Sequence, residues 1–314
     1  MEWLARMNAT LDYIESNLCG EIDYGVLEKV ACCSAHTFFK MFSYVADVSL
    51  SEYVRRRRLT LAALELQSGD VNVIDVAGKY GYESPVSFAR AFQVLHGVTP
   101  TQAKKSGINL KAYPRISFQV SISGKEQMDY RIEKKDAFQV FGIEGIFKTD
   151  ERGEPPRTPA DLWADCHANG TVAKLDLDAG KLPGFVGKNL DSVHGICSYK
   201  EVSTGEFPYM ICAFMGEDSQ PHGYTVLDVP AHTWAIFPSG KFGWDNFDTV
   251  IESLYKRFFG EWLPTSQFEQ VGGLDLEIYG GDEEFGYFEL WFAVKKLDIF
   301  GNRAKQAELQ AYFP

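Results

Sequence analysis

Residues 81–92 read Gly-Tyr-Glu-Ser-Pro-Val-Ser-Phe-Ala-Arg-Ala-Phe, and an earlier stretch, Ser34-Ala35-His36-Thr37-Phe38-Phe39-Lys40-Met41-Phe42, repeats its second part. Serine opens both copies, aromatic residues fall at the fifth and ninth places, and a cation stands at the seventh. Each serine suits a helix N-cap, and Pro85 occupies the first helical position, where its missing N–H costs nothing. Gly81 ends the helix before it. The pattern is a short helix, a tight turn and a second helix, used twice.

Outward from these copies the chain stays helical to about residue 107. Leu4, Met7, Leu11, Ile14 and Leu18 recur at helical spacing. Between the two copies, Ser49-Leu50-Ser51-Glu52 reads as a capping box opening a long connecting helix that stops near Gly69. Thr99-Pro100-Thr101-Gln102 gives another capping box and a last helix. Two such units on one rigid connector suit two successive turns of a major groove. The plainer alternative is a helical bundle with short turns. The repeated cation beside Arg55-Arg56-Arg57-Arg58 favours DNA.

Charge distribution supports the division. The whole chain of 314 residues has a net charge of −12, yet residues 1–106 hold eleven Lys and Arg against twelve Asp and Glu, so the acidity belongs to residues 107–314. Six cysteines lack a CxxC spacing and the histidines form no cluster, which argues against a zinc site or a disulfide framework. Neither a metal nor a cofactor is expected. The vicinal Cys32-Cys33 pair could bridge only with strain. With no apolar stretch of membrane-spanning length and no signal-peptide pattern, the expected location is the cytoplasm, away from membranes.

Over residues 8–106 the sequence resembles the AraC/XylS family of bacterial transcription regulators. The resemblance is carried by SLSEYVRRRRLTLAALEL in the connector and IDVAGKYGYESPVSFARAFQVLHGVTPTQAKK in the second unit. It implies double-stranded operator DNA as partner, with RNA polymerase as a further one and activation as the mode. The reading residues it implies are His36, Thr37, Phe39 and Lys40 in the first unit, and Pro85, Val86, Ser87 and Arg90 in the second. Phe39 and Val86 stand where polar readers are frequent, so their contacts would be to thymine methyl groups. The arginines at 55–58 (Arg55, Arg56, Arg57 and Arg58) are candidates for phosphate contacts, one or two of them pairing within the domain.

Residues 108–127 read as a linker that adds an edge strand. From residue 128 the period changes to alternation: strands at 130–133, 138–143, 193–197 and 209–214 surround a helix at 160–166, and strands at 224–227, 233–237, 274–279 and 287–294 surround a helix at 244–262. The expected fold is therefore an all-α double helix-turn-helix domain, residues 1–107, joined to an α+β domain, residues 128–314, with a duplicated strand-helix-strand module and a cleft between its halves. PAHTWAIFPSGKF and FELWFAVKK make this part similar to the GyrI-like effector-binding domain. That resemblance implies a small-molecule effector and a buried glutamate on the last strand, matched by Glu289. A carboxylate among Phe288, Leu290 and Trp291 needs a partner, and a cationic aromatic ligand would supply one. Trp291 shares its face by alternation, and Tyr279, Tyr209 and Trp163 are further wall residues.

Three functions fit these features. The first is a ligand-responsive, sequence-specific transcription regulator without enzymatic activity. The second is a small-molecule hydrolase using Glu289 with Tyr209 or Tyr279. The third is a DNA-binding protein whose acidic half is a protein-interaction surface.

Overall fold

The computed structural model describes residues 2–69, 71–105, 107–119, 128–148, 157–187 and 190–297. Seven helices come first: α1 (Glu2–Ser16), α2 (Tyr24–Ala31), α3 (Ala35–Ala46), α4 (Leu50–Ser68), α5 (Val73–Lys79), α6 (Pro85–His96) and α7 (Pro100–Ala103). The caps act where the sequence places them. Ser34 accepts from the Thr37 amide, Ser84 from the Ser87 amide and Thr99 from the Gln102 amide, the last within a complete capping box. At α4 the expected box is only half made. Ser49 caps the Glu52 amide, but the Glu52 carboxylate turns to Arg55 and Arg56 instead of the N-cap backbone.

Eight strands come next: β1 (Arg131–Lys135), β2 (Phe138–Lys148), β3 (Val193–Cys197), β4 (Glu206–Phe214), β5 (Thr225–Val229), β6 (His232–Gly243), β7 (Phe268–Gly281) and β8 (Phe285–Lys296). They form one antiparallel sheet in the order β1-β6-β8-β7-β3-β4-β2-β5. The duplication is visible in that order. β2, β3 and β4 with α8 (Pro159–Ala168) and α9 (Thr171–Ala179) make one half; β6, β7 and β8 with α10 (Phe247–Lys256) make the other. The halves meet where β3 pairs with β7. A wide π turn, Arg257–Trp262, prolongs α10. Residue spacing predicts one helix in the first half; α9 is a second one.

The two faces of the sheet have separate cores. Directly opposed residues share a face, so Ile278 and Glu289 go to one side, Glu277 and Leu290 to the other. On the first side Ile196, Met210, Phe214, Trp234, Ile236 and Trp291 pack together. Phe138 on β2 and Trp234 on β6, far apart in strand order, bring their rings to 6.2 Å, so the sheet curls around this core. The other side carries α8 and α9 over one half and α10 over the other.

The expected boundary between two domains is not a boundary in packing. A single apolar core contains Leu11, Phe38, Met41 and Phe42 of the first helices together with Phe258, Phe259, Leu290 and Phe292 of the second part. Only the second helix-turn-helix unit has a core of its own, built on Leu59, Leu66, Val76, Phe88 and Phe92. The described part of the linker, residues 108–119, forms no strand, contrary to expectation. It is pinned instead at Phe118, whose amide and carbonyl bond to the Asn8 side chain. Residues 120–127 lie outside the described residues.

Candidate effector cavity and nucleic-acid interface

Where the two halves of the sheet meet, β7 presents Asp275, Glu277 and Tyr279 on the face covered by helices. A cavity of about 520 Å³ lies over them, walled on the sheet side by Glu277, Tyr279 and Tyr209 and on the helical side by Trp163 of α8, Tyr255 of α10, and His36, Phe39, Lys40 and Tyr44 of α3. The Trp163 indole N–H donates to the Tyr209 hydroxyl at 2.8 Å, which donates to Glu277 at 2.6 Å. Tyr279 donates to the same carboxylate oxygen at 2.9 Å and Tyr255 to the other at 3.3 Å. Burial, with the neighbouring Glu277 second, holds the Tyr209 and Tyr279 hydroxyls protonated, far above the ordinary tyrosine value. Gly195 on β3 makes this ring of hydroxyls possible. A methyl group there would stand 2.3 Å from the Tyr209 oxygen and 2.8 Å from a Glu277 oxygen.

Asp275, two residues along, is 1% exposed. It accepts from the Lys40 ammonium at 3.1 Å, and Lys40 also donates to Tyr255 at 2.7 Å. Burial works to lower the ammonium, but Asp275 above all overrides it, so Lys40 stays protonated. Burial pushes the Asp275 carboxyl up to about 6 against the pull of Lys40, with Glu277 adding to the rise. Among the described residues hydrogen-bonded to either carboxylate, Lys40 is the one cation. Lys148 and Arg157 also line the cavity but are solvent-exposed, and Arg157 pairs with Asp165.

The glutamate named from the sequence is elsewhere. Glu289 lies on the opposite face of the sheet, held by both terminal nitrogens of Arg131 at 2.9 and 2.8 Å, by Tyr287 at 2.6 Å and by the Trp291 indole at 2.7 Å. Burial would raise its carboxyl, yet Arg131 leads the bonds that bring it below the ordinary value. Trp291 is fully buried in that face's core. Neither touches the cavity, which takes from the hydrolase reading the base it named. Tyr279, Tyr209 and Trp163 do line it. Asp275 and Glu277 were missed, although Leu274-Asp275-Leu276-Glu277-Ile278-Tyr279 alternates polar with apolar residues and so puts two carboxylates on one face.

The residues assigned to DNA divide sharply. Pro85, Val86, Ser87 and Arg90 stand exposed on α6, Val86 at 79%. Those of α3 are covered: His36 stacks on Phe207 with ring centroids 3.5 Å apart, Thr37 abuts Gly273, Phe39 is buried, and Lys40 is in the cavity. Burial, with Lys40 second, keeps His36 neutral. Gly273 sits at φ +81°, in the left-handed region, where β7 bulges between Gln270 and Asp275. Any Cβ there would fall 2.1 Å from the Thr37 hydroxyl. The four arginines are all engaged within the helical region and the segment that follows it. Arg55 and Arg56 share Glu52, Arg57 binds Glu15 and the Tyr113 carbonyl, and Arg58 binds the Leu18 and Gly20 carbonyls. Arg57 and Arg58 thus tie α4 to α1 and to neighbouring backbone carbonyls.

The family description "Helix-turn-helix domain" matches residues 27–106, and "Integron-associated effector binding protein" matches residues 131–294, more than half of the chain. The HTH-type transcriptional activator AarP of Providencia stuartii is 37% identical over 94 residues, which cover 29% of this chain and 67% of that protein. The regulatory protein SoxS of Salmonella typhimurium is 32% identical over 91 residues, 29% of this chain and 85% of its own length. The chain belongs to the AraC family of transcription regulators and carries a GyrI-like effector-binding domain. Among solved structures, an integron cassette protein from Vibrio cholerae is 16% identical, covering 53% of this chain and 95% of its own at a TM-score of 0.32. Another, bound to tetraphenylphosphonium, is 18% identical over 56% of this chain and 99% of its own, with a TM-score of 0.43. The regulator is a ligand-responsive DNA-binding protein. Among its described residues no cluster of metal-ligating side chains occurs, and no helix is long and apolar enough to cross a membrane.

Proposed function

We propose that the regulator senses a small organic cation with aromatic surface in the cavity above Asp275 and Glu277, and acts on transcription in the cytoplasm through operator DNA and RNA polymerase. One observation carries this reading. Glu277 lines the cavity held by tyrosine hydroxyls, while the Lys40 ammonium is bonded to Asp275 beneath it, so among the described residues no cation is hydrogen-bonded to Glu277. A carboxylate partly withdrawn from water without a cationic partner pays part of a desolvation penalty that reaches several kcal/mol for a buried ion. A cation entering beside Glu277 recovers that cost, and the ring faces of Trp163, Tyr279 and Tyr44 add cation–π attraction. Hydroxyls from three tyrosines hold Glu277 in place without neutralising it. An anion or a neutral amide would gain none of this.

Thermal unfolding of the full chain tests the reading, with tetraphenylphosphonium as the cation and triphenylphosphine oxide as its neutral counterpart. A ligand confined to the native state raises the melting temperature. The expected result is a rise with the phosphonium alone, lost in Glu277→Gln and kept in Glu289→Gln. Equal shifts by both compounds would remove the role given to charge.

A further inference from the structure

The face of α3 that reads DNA in this family is also the face that closes the effector cavity. His36 lies on Phe207, Thr37 against Gly273, and Lys40 on Asp275 and Tyr255. A helix of about 10–12 Å diameter fills a major groove about 12 Å wide, so base edges are reached only by a face free of other protein. Docked as it is, α3 cannot enter a groove, whereas α6 can. The converse also holds. Without α3 the cavity loses the wall made by His36, Phe39 and Tyr44, and Asp275 loses its ammonium.

We infer that α3 is an element shared between two sites: docked on the sheet it completes the effector cavity, released it reads DNA, and effector and operator therefore exclude each other. The exclusion rests on the geometry of α3; only the choice of probe rests on the cation reading above. A ligand shifts a two-state equilibrium through differential affinity alone. An effector that touches α3 gives up those contacts when α3 leaves, and operator DNA gives up α3 when it stays. The coupling is negative and, by linkage, the same in both directions. Because Lys40 is already bonded to Asp275 and Tyr255, an effector beside Glu277 joins the ammonium rather than replacing it.

The test measures affinity of the full chain for a duplex selected by this protein from a random-sequence pool, with and without saturating tetraphenylphosphonium. The phosphonium is expected to weaken binding about tenfold, within the roughly 5- to 150-fold range of such couplings. Asp275→Asn, which loosens the Lys40 contact and leaves the side chains of α3 themselves unchanged, is expected to bind the duplex more tightly than wild type. Should that variant fail to fold, Phe207→Leu removes the stack under His36 and takes its place. Stronger or unchanged DNA binding under phosphonium that demonstrably raises the melting temperature would overturn the inference. If the phosphonium gives no thermal shift, the cation reading fails by itself, and duplex affinity of the variants still decides: no gain over wild type would overturn the exclusion.

Discussion

The two helix-turn-helix units share a serine, two phenylalanines and a cation at matching places of a nine-residue stretch and meet opposite fates. In α6 the positions after the capping serine are Pro85, Val86 and Ser87, all exposed, over a core of Phe88 and Phe92 that belongs to the unit itself. In α3 the matching stretch holds His36, Thr37, Phe39 and Lys40 beside the inward Phe38 and Phe42. The outer face of α3, with His36, Thr37 and Lys40, is covered by Phe207, Gly273 and Asp275 of the effector domain. The difference between the copies is thus one of cover: the outer face of α3 walls the cavity while that of α6 stays exposed.

The comparison breaks most severely if the chain is cut. Residues 1–119 alone would leave the first unit without the half of its core supplied by Phe258, Leu290 and Phe292. Hydrogen exchange is expected to show α1–α3 without stable protection while α5 and α6 stay protected; equal protection in both units would contradict the shared core. Next in size is a paired substitution at the seventh positions. Lys40→Met strands the buried Asp275 and should cost about 3 kcal/mol in urea unfolding, near the low end for a broken buried pair because Asp275 can take up a proton. Arg90→Met, on an exposed face, should stay within about 0.5 kcal/mol and instead lower the salt dependence of DNA binding by about one charge. Similar stability losses at both sites would erase the distinction. A smaller effect is expected from Gly195→Ala, where crowding against Tyr209 and Glu277 should cost about 1–3 kcal/mol and abolish the phosphonium-induced thermal shift.

The smallest concerns pH. Asp275 has a native value of about 6 against an ordinary 3.8. A carboxyl raised on folding binds more protons in the native state, so its contribution is complete below about pH 4 and is lost as pH rises to about 6. Urea unfolding of the full chain should therefore show stability falling between about pH 4 and pH 6, and Asp275→Asn should flatten that fall.

Sequence made the repeated units legible because serine caps, Pro85 and the aromatic spacing are local signals. The strands of the second half were legible for a like reason, since alternation is local too. What escaped was parity and contact. On β8, Phe288-Glu289-Leu290-Trp291-Phe292 is apolar on both sides, so alternation says that Glu289 opposes Leu290 but not which of them faces the helices. β7 held the clearer sign in Asp275 and Glu277, whose face is polar while Leu274, Leu276 and Ile278 make the other apolar. Gly272-Gly273, which bend β7 toward Thr37, look in sequence like any turn. The docking of α3 depends on a surface more than 150 residues away, and only the surplus of apolar residues on that helix hinted at it.

Sequestration of α3 is tested most directly at Cys197, which lies buried beneath it with its sulfur 3.7 Å from the His36 ring nitrogen. Alkylation of Cys197 in the full chain, read by mass spectrometry with and without the selected duplex, reports whether α3 leaves the sheet; Cys212, buried on the opposite face, serves as the internal control. Cys197 is expected to be protected in the free protein and to become reactive when duplex binds, while Cys212 stays unreactive throughout. A Cys197 that remains equally protected at saturating duplex would mean that α3 stays docked while the regulator holds DNA, contradicting the shared role of that helix.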